Sequence, residues 1–182
     1  MFKGYRTIFW GIFFSVFHVN LGMIQILPVF VAWLIVAHGI NLLYEADPTT
    51  SFKKAYDFSL FTAVISIIGP ISTWVGSDYA ILEYVSIVYS IFELFVIYYL
   101  LDGSIRHIKS KEEFNTETDY EGTLRIYMIF FIVNTILACI AITIASLGML
   151  MIVAIVGMIM ILWLMQMIHS LKKLQLEEVP NV

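Results

Sequence analysis

The sequence predicts an all-α integral membrane protein, with six transmembrane helices arranged as three hairpins and both termini cytoplasmic. Three observations carry that reading. The first is composition: hydrophobic residues fill 60% of the 182 positions and charged residues 13%, where a soluble domain carries roughly 25% charged residues. The second is that Thr7 to Phe52, Ala55 to Ile105 and Ile126 to Leu171 contain neither Lys nor Arg. Each stretch is too long for one crossing. The uncharged run from Thr7 to Tyr44 alone would make a helix about 57 Å long, against about 30 Å of hydrocarbon. Each must therefore fold back on itself. The third observation is the distribution of positive charge, taken up after the spans.

The first hairpin comprises spans at 5–19 and 26–44. Its turn falls where His18, Asn20, Gly22 and Gln25 interrupt the apolar pattern and Pro28 suits the start of a new helix. Asn20 to Leu27 is short and apolar, fit for an interfacial or re-entrant element. The loop at 45–57 contains Asp47-Pro48 and then Ser51, expected to cap a short helix through Lys53, Lys54 and Tyr56 in the headgroup region. The second hairpin has spans at 58–75 and 79–101 with Gly76-Ser77-Asp78 as its turn. The loop at 102–122 carries six acids against three bases and reads as a solvated face. The third hairpin has spans at 124–145 and 149–171, turning at Ser146-Leu147-Gly148. Together they make one transmembrane domain over 1–182.

With these turns, all ten basic residues fall on one side: Lys3, Arg6, Lys53, Lys54, Arg106, Lys109, Lys111, Arg125, Lys172 and Lys173. Lys and Arg accumulate in cytoplasmic loops. Both termini and both longer loops are therefore expected inside a cell membrane. Lys3 and Arg6 ahead of an apolar run also suit a secretory leader, but His18, Asn20 and Leu21 replace the small residues of a cleavage site. The first span is expected to be retained.

Polar residues inside the spans are costly and so carry information. Tyr79, Glu83, Ser86, Ser90 and Glu93 are spaced by 4, 3, 4 and 3 residues, which confines them to one stripe of the fourth helix. Glu93 lies about 21 Å along that helix from Tyr79. At such depth a carboxyl must face protein or water, or be protonated. Its candidate partners are Asn134 in the fifth span, His38 and Asn41 toward the inner end of the second, and Gln166 in the sixth. A proton or cation pathway and a hydrogen-bonded packing contact are both open for this set.

Other faces are made of small residues. Gly4, Thr7, Gly11, Ser15, His18 and Gly22 form one on the first span, Ser59, Thr62, Ser66, Pro70 and Thr73 another on the third, and Asn134, Ala138, Ala141 and Ala145 a third on the fifth. Such faces allow close helix approach. At the outer mouth, His18, Asn20, Gln25 and Asp78 form a loose polar group, without the His-x-x-x-His or Glu-x-x-His spacing of a metal site.

Several classes are excluded or unsupported. One cysteine, Cys139, makes no disulfide scaffold, and a net charge of -4 does not suit a nucleic-acid partner. No catalytic motif and no cofactor fingerprint is present. The expected partners are the lipid bilayer, and beyond it another membrane protein or a second copy. Two functions fit: a small transporter or ion- or proton-pathway subunit using the fourth-helix stripe, or a non-catalytic accessory, regulatory or immunity protein that binds another membrane protein.

Overall fold

The computed structural model describes residues 1–16, 20–21, 24–25, 28–75, 79–110, 120–144 and 146–177, and for 20–21, 24–25, 69–70, 72–75, 79–84 and 174–177 the backbone alone. Among these residues the chain forms six helices: α1 (Phe2–Val16), α2 (Val29–Ala46), α3 (Thr50–Val75), α4 (Tyr79–Ser110), α5 (Tyr120–Thr143) and α6 (Leu147–Glu177). Between α1 and α2, a two-residue antiparallel pair sets Asn20 opposite Gln25 and Leu21 opposite Ile24. Four helical segments are long and apolar enough to cross a membrane: Val29–Ala46, Val85–Ser110, Tyr120–Thr143 and Leu147–Lys173. Helix α1, with 15 residues, is about 22 Å long.

Local chemistry sets the helix ends. Pro28 precedes α2 with extended backbone, and its carbonyl accepts the first helical bond from Val31 (2.9 Å). Asp47 ends α2, held to the Leu43 carbonyl at 2.9 Å, and Pro48 then forbids continuation. Thr49, rather than Ser51, caps α3: its hydroxyl accepts from the Phe52 amide at 3.4 Å. Ser51 instead donates to Asp102 of α4 (2.7 Å). The expected short headgroup helix is the opening of a continuous α3, and the start of the expected loop at 102–122 is helical to Ser110. Ser146 opens α6, its hydroxyl accepting from the Met149 amide at 3.4 Å.

Each helix packs on its neighbours in sequence, and α6 returns to α1, so the six close into a ring. The tightest contact is α1 against α2. A Cβ on Gly39 would stand 2.9 Å from the Gly4 carbonyl and 2.9 Å from the Ile8 amide, and one on Gly11 2.9 Å from the Val36 amide. Glycine here lets two backbones touch. Ser59 and Thr62 of α3 and Ala141 of α5 are fully buried, as small-residue packing requires.

The core lies toward one end of the ring, built on Tyr5, Ile8, Ile40, Leu43, Phe52, Leu100, Leu101, Tyr127, Leu164 and Ile168. The described basic residues gather at that same end. Lys172 sits over the Phe2 ring and Lys54 over Tyr99. His107 Nδ1 donates to Asp47 (2.7 Å), Arg106 to Asp102 (3.0 Å), and Lys109 pairs with Glu121. Toward the other end, α5 and α6 expose Ile132, Val133, Ile136, Ile144, Leu147, Ile152, Ile155 and Ile159. An apolar surface of this extent needs an apolar solvent or partner.

Candidate functional site

Inside the ring, a cavity of about 440 Å³ is lined by Ser15, Val16, Val29, Ile65, Ser66, Val85, Ser86, Tyr89, Ser90, Glu93 and Ile161. Five helices contribute, and α4 supplies the most. Positions 86, 89, 90 and 93 recur at helical spacing, so one face of α4 delivers two serines, a tyrosine and a carboxylate to the same wall. The last turn of α1 contributes Ser15 and Val16, and Val29 at the start of α2 lies on the side away from the core.

Glu93 lies at the inner limit of this cavity. The same α4 face continues with Val96, Ile97 and Leu100, which meet Ile12, Trp33, Val36 and Leu164 around a cleft of only about 10 Å³ that Glu93, Ser15, Val16 and Ile161 also line. That space is about one water-sized sphere. The α4 stripe thus changes chemistry at Glu93, polar toward Ser86 and apolar toward Leu100. The cavity narrows to this cleft beside the carboxylate.

Glu93 is half-buried and makes no hydrogen bond or ion pair with the described residues. No Lys, Arg or His is among the described lining residues. Tyr89 and Tyr127 lie within electrostatic reach of its carboxyl. Tyr89 is held in place from the opposite side: the indole Nε1 of Trp33 donates to its oxygen at 2.6 Å, with the rings edge to face at 6.2 Å. Three of the lining serines point their hydroxyl protons at their own helices. Ser15 donates to the Ile12 carbonyl (2.8 Å), Ser66 to Ala63 (2.7 Å) and Ser90 to Ser86 (3.0 Å).

Of the residues singled out in the sequence, Ser86, Ser90 and Glu93 meet on the cavity wall. The side chain of Glu83 lies outside the described residues. Asn41 donates to Glu45 one turn away at 2.7 Å, and His38 is exposed, so neither reaches Glu93. Asn134 faces Gly157 of α6 across the α5–α6 contact, with its Oδ1 buried and unpartnered. Gln166 is exposed. Of the outer-mouth group, His18 and Asp78 lie outside the described residues, and Asn20 and Gln25 are described by backbone only, as cross-strand partners. Among the described residues no three His, Cys, Asp or Glu side chains come together as a metal site.

Sequence reading missed Tyr89, Trp33, Ser15 and Ser66 as site residues. Tyr89 had a signal, since it stands three residues after Ser86 and four before Glu93. Ser15 and Ser66 already belonged to the small faces of the first and third spans. What the sequence lacked was the arrangement that turns those faces toward α4. No protein-family model, no curated protein and no solved structure matches the chain.

Proposed function

We propose that the chain is a six-span protein of the cell membrane with both termini cytoplasmic, and that it acts as a small transporter or ion- or proton-pathway subunit in which Glu93 handles the cation. One observation carries the reading: a carboxylate midway along an apolar helix has no hydrogen-bond or ion-pair partner among the described residues and lines a cavity. Intramembrane carboxylates are costly and normally paired when they serve packing. An unpaired one beside open space is suited to exchange a proton or hold a passing cation. The gathering of Lys and Arg side chains at one end supports the orientation.

The test is flux in vesicles reconstituted with the purified protein. Glu93→Gln keeps the shape of the protonated acid but cannot exchange its proton. It is expected to abolish proton-coupled or cation flux while the protein stays folded. Unchanged flux, or none in either protein, would favour the second reading, a membrane accessory, regulatory or immunity protein bound to another membrane protein or to a second copy. The observation behind that alternative is the long exposed apolar surface of α5 and α6.

A further inference from the structure

We propose that the cavity beside Glu93 is a binding site for a small organic monocation, an ammonium head carrying an apolar body, with the head at Glu93 and the body toward Val29, Ile65 and Val85. The inference rests on the reading of Glu93 as the cation-handling group and narrows what the cation is.

Hydrogen-bond direction is the first support. A hydroxyl has one proton, and Ser15, Ser66 and Ser90 each spend theirs on a backbone carbonyl of their own helix. These three can offer the cavity lone pairs only. The Tyr89 oxygen accepts from Trp33 and keeps its own O–H. With Glu93, the wall is rich in acceptors and poor in donors. An anion would meet the Glu93 carboxylate itself, whereas an ammonium group brings N–H donors that this carboxylate and the three serine oxygens can accept.

Shape and remaining chemistry separate an organic cation from a bare ion. Val16, Val29, Ile65, Val85 and Ile161 make the rest of the lining apolar. A volume of about 440 Å³ falls within the roughly 300–1,000 Å³ of small-molecule sites. A calcium ion wants about six to eight oxygens in one compact shell, and the cavity has a single carboxylate with hydroxyls spread over three helices. The apolar plug of Val96, Ile97, Leu100 and Leu164 stops a ligand at the carboxylate. A charge with hydrocarbon beside it matches an amine with one apolar substituent.

The experiment compares two probes of similar shape, phenylethylammonium and neutral phenylethyl alcohol, by calorimetric titration of the purified full-length protein in detergent at neutral pH, against protein-free micelle blanks. Wild type is expected to bind the cation at least about tenfold more tightly, the low end for a desolvated charge pair. Glu93→Gln should bring the two probes to within about threefold of each other, and Glu93→Asp should retain the preference. Equal affinities in wild type, or no binding of the cation, overturn the inference without recourse to any variant. The flux assay keeps the two readings apart. Inorganic cation or proton flux that needs Glu93, without probe binding, removes the organic cation and leaves the pathway. A cation preference that depends on Glu93, with no flux of any cation, keeps the site and removes transport.

Discussion

Glu93 makes no hydrogen bond or ion pair with the described residues, so its removal breaks no contact there, and its burial is a cost to the fold. Glu93→Leu is therefore expected to raise stability by about 1 kcal/mol while ending any cation-dependent activity, the trade expected of a functional group held in an unfavourable place. A packing role predicts the opposite sign, a loss of about 1 to 2 kcal/mol, so thermal unfolding in detergent separates the two. Tyr89 and Ser90 make a second contrast on the same wall. Tyr89→Phe strands the indole N–H of Trp33, which is 2% exposed, at a cost of about 1 to 2 kcal/mol. Ser90→Ala loses only a hydroxyl bonded to its own helix and should change stability by less than about 0.5 kcal/mol. Equal losses in the two variants would show that the indole is not the group at stake. The Ser86, Ser90 and Glu93 stripe was legible because helical periodicity fixes azimuth within one helix. Asn134, His38 and Asn41 were grouped with it by depth, and depth says nothing about which way a neighbouring helix faces. Asn41 turns instead to Glu45 on its own helix, and Asn134 to Gly157.

Helix pairs show where small residues are structural. The α1–α2 crossing has backbone against backbone at Gly4 and Gly39, so any side chain there must push the helices apart. Gly39→Leu is expected to cost about 3 kcal/mol or more, as overpacking against rigid backbone does, and to expose α1 to proteolysis. Gly148, in the first turn of α6, has nothing within 4 Å of a built Cβ, so Gly148→Ala should stabilise by about 0.5 to 1 kcal/mol through helix propensity alone. Unfolding measurements on both variants check the pair, and a tolerant Gly39 would mean that α1 does not dock this closely. Helix number and the turns near Pro28 and Ser146 could be read from the sequence because prolines, caps and breaks in apolar runs are local signals. The C-terminal end of α4 could not. Asp102, Arg106 and His107 look like loop residues by polarity, yet Arg106 pairs with Asp102 one turn back and His107 reaches Asp47. Charge there marks a change of solvent along a helix that continues to Ser110. Thr49 rather than Ser51 caps α3 because Ser51 has a better acceptor in Asp102.

At the scale of the whole molecule, the ring order of the six helices was not legible, since hydrophobic periodicity gives each helix a buried face but not the identity of its neighbour. The charge pattern gives an independent constraint on how the ring sits in a membrane. Contacts from Lys172 to Phe2, Lys54 to Tyr99, Asp47 to His107 and Lys109 to Glu121 bring the start of α1, the α2–α3 turn, the end of α4, the start of α5 and the end of α6 to one end. Ser146, between α5 and α6, falls at the other end, flanked by the exposed Ile144 and Leu147. A bilayer that leaves the basic end in the cytoplasm places Ser146 outside and Ser110, at the end of α4, inside. In a Cys139→Ala background, Ser146→Cys should therefore react with an impermeant thiol reagent added to intact cells, and Ser110→Cys should react only after the cells are opened. The cavity would then face outward, because Val29, Val85 and Ser86, which line it but not the narrow cleft, lie on the Ser146 side of Glu93. Ser15→Cys should accordingly label from outside, more slowly than Ser146→Cys, and an organic ammonium that occupies the cavity should protect it. Labelling of Ser110→Cys in intact cells, with Ser146→Cys silent until lysis, would invert the orientation and turn the mouth of the cavity toward the cytoplasm.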